Sequence, residues 1–481
     1  MAGVGLAALT RAQDPAAMPP ALPLPSPAPA SPLAIGDYRG AGSCSATACH
    51  GSIRPSAAML SPVLRNEHTT WLSDDAHARA YSVLFNQRSE GIARSLASSA
   101  RPYKSAHLDE RCLACHATPR PSAVLEQTHW MDADGVGCEA CHGASGRWLG
   151  EHTTPGWRDL APERKAELGM ANVTALPARA RQCAGCHVGD HEAPGGIPVR
   201  DVNHDLIAAG HPRLNFELSA FLANMPTHWV EKGNNGEPPA GGDLRPTRAM
   251  APDFSARAWA LGELATAESA LRLLESRAKK ADQKTAPWPE FTESGCFSCH
   301  HDLRDQAWRR LPRPAGDDAM VGAPRWGSWL FAEIDGALAA TVDPAVSRPF
   351  AEALKKVRAL MNGSTAPDAR AVATAAKDAA EAARRCVDAM AGKRLSANEV
   401  SRLIDRIDTW TGVNGWDEAT QRYLALAALR QSWAELDPSR KADQDGLARK
   451  LEEIRPRLQF PAGLDSPGLF DPTRLRPGSS R

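Results

Sequence analysis

The chain has 481 residues, and its 56 Lys and Arg exactly offset 56 Asp and Glu, giving a formal net charge of zero. That balance leaves no electrostatic footprint for nucleic acid or an anionic membrane surface. No apolar stretch is long enough to span a bilayer. The length suits two domains or one large one.

Residues 1–13 begin Met-Ala-Gly-Val-Gly-Leu-Ala-Ala-Leu and read as the remnant of a secretory signal without its basic leader. Residues 14–36 carry Pro15, Pro19, Pro20, Pro23, Pro25, Pro27, Pro29 and Pro32 among alanines. Such a tract builds no core and is expected to be an extended linker.

Residues 37–312 hold the chemistry. Cys112–Cys115–His116, Cys138–Cys141–His142, Cys183–Cys186–His187 and Cys296–Cys299–His300 are Cys-x-x-Cys-His motifs, and Cys44–Cys49–His50 is a wider form. At these residue frequencies about 0.008 copies of the standard motif arise by chance, and four are present. The pattern is the attachment signature of haem c: two thiols add to the haem vinyl groups and the adjoining imidazole binds iron. Disulfide staples or zinc sites would use paired cysteines without requiring a histidine after every pair. Five haems are therefore expected. The eleventh cysteine, Cys386, lies on an apolar helical stripe with Val372, Ala376, Ala379, Ala383 and Met390 and reads as a buried small hydrophobe.

Every histidine lies between His50 and His301, so the haem domain is expected to end near residue 312. Within it one clear helix is predicted from Asp253 to Lys279, with Phe254, Ala258, Leu261, Leu264, Ala265, Leu271 and Leu274 on its apolar face. Strand patterning is nearly absent. Beyond the Pro312–Pro314 break, residues 313–459 read as a helical bundle. Trp329, Phe331, Ile334, Leu338 and Val342 start one segment and the Ala-rich run around Cys386 forms another. Ser396 and Glu399 make a capping box ahead of Val400, Leu403, Ile404 and Ile407, and a further helix opens near Asp417 with Tyr423, Leu426, Leu429 and Trp433. Residues 460–481 carry four prolines and read as a loose tail. The fold class is mainly α, a loop-rich domain organised by its haems followed by a helical bundle.

Five motif histidines, His50, His116, His142, His187 and His300, are proximal-ligand candidates. Ten others, His68, His77, His107, His129, His152, His191, His204, His211, His228 and His301, are available as distal ligands. That surplus favours bis-histidine iron, which is closed to small molecules and suited to passing electrons. Asp109, Arg111, Glu139 and Arg147 read as balancing haem propionates or solvating the surface, and nothing singles out a catalytic constellation.

Asp75-Ala-His77-Ala-Arg79-Ala80, Gly135-Val-Gly-Cys138-Glu-Ala-Cys141-His142-Gly143 and Trp148-Leu-Gly-Glu-His152 resemble the cytochrome c-554 family of tetrahaem electron carriers, over roughly Ser43 to His187. The resemblance implies that His77 pairs with His142 and His152 with His187. It implies a distal ligand for His50 from beyond the fourth motif, with His211 preferred and His204 second. It also implies an open iron on His116. The widened first motif, the fifth motif and the long helical C-terminus have no counterpart in that family. For the fifth haem His204, His68 and His228 are candidates. The expected function is electron transfer between redox partner proteins in the periplasm. The alternative is a multihaem oxidoreductase acting on a small nitrogen or sulfur compound at one open haem.

Overall fold

Leucine and alanine recur at helical spacing along most of the chain, and the computed structural model is accordingly helix and loop. It describes residues 37–55, 63–99, 101–121, 129–191, 197–229, 251–296, 299, 324–410, 413 and 415–460. The signal-like segment, the proline tract, His300, His301, the Pro312–Pro314 break and the tail after residue 460 lie outside the described residues, as does the side chain of His129. Among the described residues pairing is limited to isolated bridges at Ser98–Arg101, Asp190–Arg200 and Ser294–Trp326. The described residues form one compact unit.

The first half is built from short helices joined by 3-10 turns: α1 (Glu67–Asp74), α2 (Gln87–Ser95), α3 (Glu110–His116), α4 (Cys138–His142), α5 (Pro162–Glu167), α6 (Leu176–His187), α7 (His204–Ala208) and α8 (Leu218–Asn224). Much of it gathers only small apolar clusters. Leu84, Ala93, Ala106, Leu113 and Ala117 make one around α2 and α3, and Tyr38, Met131 and Ala144 make another. Clusters of this size remove little apolar surface from water. These segments depend on a further source of apolar surface, and the haem motifs are concentrated there.

The second half is different. The 29-residue α9 (Phe254–Asp282) buries Ala258, Trp259, Leu261, Leu264, Leu271 and Leu274 completely. Its burial extends to Glu263, Thr266 and Glu268, so every side of its first five turns is covered and it lies at the centre of the bundle. It packs against α6 and against α12 (Ala369–Ala389), whose Val372, Ala376, Ala379 and Ala383 form a small-residue stripe that lets the two backbones approach closely. Cys386 continues that stripe, fully buried, with its Sγ–H 3.6 Å from the carbonyl of Val346. The remaining helices are α10 (Ile334–Thr341), α11 (Pro344–Asn362), α13 (Ala397–Ile407), α14 (Trp416–Leu436) and α15 (Lys441–Leu458). The Ser396–Glu399 capping box forms as expected ahead of α13. Trp329 and Phe331 lie in the turn before α10 rather than inside it. One hydrophobic core runs from Leu176 of α6 and Phe216 through α9 to Leu458 of α15, so segments on both sides of residue 312 share it.

Glu333, buried just before α10, pairs with Arg422 of α14 at 2.9 Å, yet burial pushes its carboxyl up to about 7. A carboxyl raised by folding stabilises the native state below its unfolded value, and that contribution is lost as pH climbs through the folded one. The protein is therefore expected to lose on the order of 3 kcal/mol between pH 4.5 and 7 from this group alone. Urea unfolding across that range is expected to show a shallower slope for Glu333→Gln.

Candidate haem sites

Three motifs sit on helices, and the reason is geometric. Residues at i, i+3 and i+4 share one face of a helix. The sequence Cys-x-x-Cys-His therefore presents two sulfurs and an imidazole together at the C-terminal end of α3, on α4 and at the end of α6. Asp109 caps α3 by accepting from the backbone N–H of Arg111 at 3.0 Å, while its side chain also pairs with the Arg111 guanidinium. The wide first motif follows another rule. A 3-10 turn ends at Cys44, and the extra residues close a tight loop in which the N–H groups of Cys49 and Gly51 both donate to the carbonyl of Ala46 at 2.8 and 3.0 Å. A Cβ at Gly51 would lie 1.8 Å from the carbonyl oxygen of Ser45, so only glycine fits there.

Glu139, inside the third motif, is buried and structural. Its carboxylate accepts from the backbone N–H groups of Arg39, Gly40 and Ser145 at 3.0, 2.8 and 2.7 Å, which ties the segment before the first motif to the third. Neighbouring motifs then meet through their thiols, and all eleven cysteines are free. The thiols of Cys44 and Cys138 lie close enough to shift each other's titration, as do those of Cys115 and Cys186. Cys141 lies within electrostatic reach of Cys183. The Gln182 side-chain amide of α6 also donates to the carbonyl of Ala140 in α4. The first site thus adjoins the third, the third the fourth, and the fourth the second.

Histidines face one another across these sites. Ring centroids are 6.2 Å apart for His50 and His152, 6.0 Å for His77 and His187, and 6.3 Å for His116 and His211. Two nitrogen–metal bonds of about 2 Å each, plus just over ~1 Å from each nitrogen to its ring centre, give about 6 Å. The spacing therefore admits one iron between each pair. In five of these six imidazoles Nδ1 is already engaged. Glu67 holds His50 at 2.9 Å, Asp75 holds His77 at 2.9 Å, and the carbonyls of Ala80, Leu149 and Pro212 hold His116, His152 and His211 at 2.8, 2.5 and 2.7 Å. That leaves Nε2 as the ligating atom, the arrangement metal-binding histidines adopt. Burial pulls His187 and His142 down to about 4 and lowers His116 and His211, so these rings are neutral donors near neutral pH.

These pairs differ from those the resemblance implies. The Ala-His-Ala segment does lie against the approach to the third motif, where the N–H of Val136 donates to the His77 carbonyl at 3.0 Å. That contact uses the backbone. The ring, fixed by Asp75, is directed to His187 of the fourth motif instead of His142. His152 sits in a 3-10 turn, 5.4 Å from Trp148 and 6.4 Å from Trp157, and faces His50 rather than His187. His211 faces His116 rather than His50, so the site expected to be open has an imidazole opposite it. Arg88 of α2 donates to the Gly210 carbonyl at 2.8 Å and pins that turn in place. Gly210 takes a φ of 117° there, a conformation that suits glycine.

For His142 the neighbour is His228, which lies close enough for its charge to depress the His142 pKa, and which is itself lowered chiefly by burial. The sequence offers His228 among the ten possible distal ligands and as a candidate for the fifth site, and no spacing signal links it to the third motif. His68 packs 5.5 Å from Trp71 and His204 packs 5.7 Å from Phe291. Whether either serves His300 lies outside the described residues. Cys296 is described, with Arg213 and Asp417 the nearest charges acting on it, and Cys299 is exposed.

Arg120 is a further residue that sequence reasoning missed. It is completely buried four positions after His116 and pairs with Asp132, itself buried. Its Nε and Nη1 have no hydrogen-bond partner among the described residues. Two orphaned guanidinium donors beside an attachment motif suit a haem propionate. The facing imidazoles, their engaged Nδ1 atoms, the clustered thiols and this cation all fit haem c. Among the described residues, no group of three or more His, Cys, Asp or Glu side chains is arranged to hold a metal ion by itself.

Comparison with known proteins agrees with this chemistry. The family model for cytochrome c554 and c-prime matches residues 45–143, which include Cys49, His50 and the whole second and third motifs. No curated protein and no solved structure matches the chain. The family match supports a c-type cytochrome that carries haem c and transfers electrons. Among the described residues, no helix is long and apolar enough to cross a membrane.

Proposed function

We propose that this chain is an exported, periplasmic cytochrome that carries five covalent haems and passes electrons between redox partner proteins. The observation that carries the reading is the set of imidazoles facing motif imidazoles at 6.0–6.3 Å across three of the sites. Haem c bound at these sites would supply one-electron chemistry at iron held by two histidines. The protein's part is to anchor each group through two sulfurs, fix the axial rings through their Nδ1 hydrogen bonds, and bring consecutive sites into contact. The proximity of the thiols of the first and third, third and fourth, and fourth and second sites supports one connected path rather than isolated centres. His211 opposite His116 removes the feature that favoured catalysis on a small nitrogen or sulfur compound, since that reaction needs a vacant iron position. Arg120 is the residue that would neutralise a propionate.

Intact mass tests the haem number directly. The expected mass is that of the chain plus five haems, falling by one haem in a Cys44→Ala, Cys49→Ala double variant. A four-haem mass that is unchanged in this variant would remove the first site from the proposal. Electron paramagnetic resonance is expected to show the haems of the three facing pairs as low-spin.

A further inference from the structure

The six facing imidazoles are not anchored alike. His116 and His211 both give Nδ1–H to backbone carbonyls, as does His152. His50 and His77 instead meet carboxylates. Glu67, in the first turn of α1, places Oε2 2.9 Å from His50 Nδ1 while its Oε1 accepts the Leu64 N–H at 2.7 Å. Asp75 uses one oxygen for both the backbone N–H and Nδ1 of His77, at 3.0 and 2.9 Å, and its Oδ2 is buried with no hydrogen-bond partner among the described residues. Both carboxylates are thus doubly fixed in place, each by a backbone N–H as well as by the ring.

We propose that Glu67 and Asp75 are positioning residues that lower the reduction potentials of two of the haems, those held by the His50–His152 and His77–His187 pairs, relative to the haem held by His116 and His211. This rests on the bis-histidine reading of the sites. A carboxylate accepting from Nδ1–H draws the proton toward itself without removing it, so electron density on Nε2 rises. The ligand then stabilises ferric over ferrous iron, and the potential falls. A backbone carbonyl is neutral and does this more weakly. The negative charge adds a direct electrostatic term of the same sign. That term is larger for Asp75, whose side chain is 4 % exposed, than for Glu67 at 18 %, because a drier surrounding screens less. Of these three haems, electrons entering the protein therefore settle first on the one held by His116 and His211 and leave the one held by His77 and His187 oxidised longest.

The test is a potentiometric titration of the full haem-loaded protein followed by electron paramagnetic resonance. Glu67→Gln and Asp75→Asn keep the shape and a hydrogen-bond acceptor while removing the charge. Each is expected to raise the potential of one haem, with the larger rise in Asp75→Asn, and to leave the haem count and low-spin signals intact. Unchanged potentials in both variants would overturn the inference and leave the bis-histidine reading standing. High-spin haem at these sites in the unsubstituted protein would instead sink the reading itself. The unsubstituted protein supplies a second check independent of either variant's folding. Of the three paired haems, the one lost as a low-spin signal in His211→Ala must be the first reduced, and finding it reduced last overturns the proposal.

Discussion

Replacing His211 by alanine is expected to convert the haem on His116 from low-spin to high-spin and to add one carbon monoxide binding site per molecule. His211 is the imidazole facing His116, at 6.3 Å, and the turn carrying it is pinned by Arg88. Removing the ring opens one axial position and leaves the covalent attachment through Cys112 and Cys115 untouched. The companion variants separate the pairs by spectroscopy. The ring planes of His50 and His152 are 13° apart, whereas those of His77 and His187 are at 72° and those of His116 and His211 at 86°. Near-parallel axial imidazoles split the iron d orbitals and give a rhombic signal. Near-perpendicular ones leave those orbitals almost degenerate and give a single feature at large g. His152→Ala is therefore expected to abolish the rhombic signal, while His77→Ala and His211→Ala each remove a large-g feature. If His152→Ala left the rhombic signal intact and His77→Ala removed it, the pairing described above would be wrong.

The contrast between attachment and pairing shows where sequence is informative. Cys112, Cys115 and His116 are placed by little more than one turn of a single helix, so their geometry follows from spacing alone. His77 and His187 are 110 positions apart, and their meeting depends on which way a ring leaves the backbone. The Ala-His-Ala backbone touches the third motif's approach, where the Val136 N–H donates to the His77 carbonyl, while the imidazole, held by Asp75, faces the fourth. No pattern in the residues carries that rotation. His228 is harder still, since it comes within electrostatic range of His142 from beyond the fourth motif with no spacing to mark it.

The helices divide along similar lines. The expected apolar face over Asp253–Lys279 corresponds to α9, and the alanine stripe around Cys386 to α12, because periodicity reports directly on burial. Two other helices have no counterpart in the sequence reading. They are α11, with Pro349 inside it, and α15, with Pro456 inside it. Proline in a helix interior forfeits a backbone hydrogen bond and normally marks an end. Here Phe350, Leu354, Val357 and Met361 on α11, and Leu447, Leu451, Ile454 and Leu458 on α15, bury enough apolar surface to hold both helices through the break.

The second large effect concerns Asp132. Arg120 follows the second motif and Asp132 lies in the 3-10 stretch His129–Asp134 that leads into the third, so their ion pair joins two attachment sites across a dry interior. Asp132→Ala is expected to destabilise the protein by up to about 3–5 kcal/mol, because it removes the carboxylate paired with a buried guanidinium. Chemical denaturation of the haem-loaded protein measures this directly. Replacing both partners separates two roles for the arginine. If the pair only neutralises itself, an Arg120→Met, Asp132→Leu variant recovers most of the loss, as apolar replacement of a closed buried pair commonly does. Two guanidinium nitrogens of Arg120, four positions after His116, have no hydrogen-bond partner among the described residues, so the arginine is expected to serve a haem propionate as well. Removing it then leaves that carboxylate buried and unsatisfied. The double variant is accordingly expected to recover only part of the stability and to lower the potential of the adjoining haem, because a ferric centre beside an uncompensated negative charge is favoured over a ferrous one. Full recovery with unchanged potentials would restrict Arg120 to pairing with Asp132.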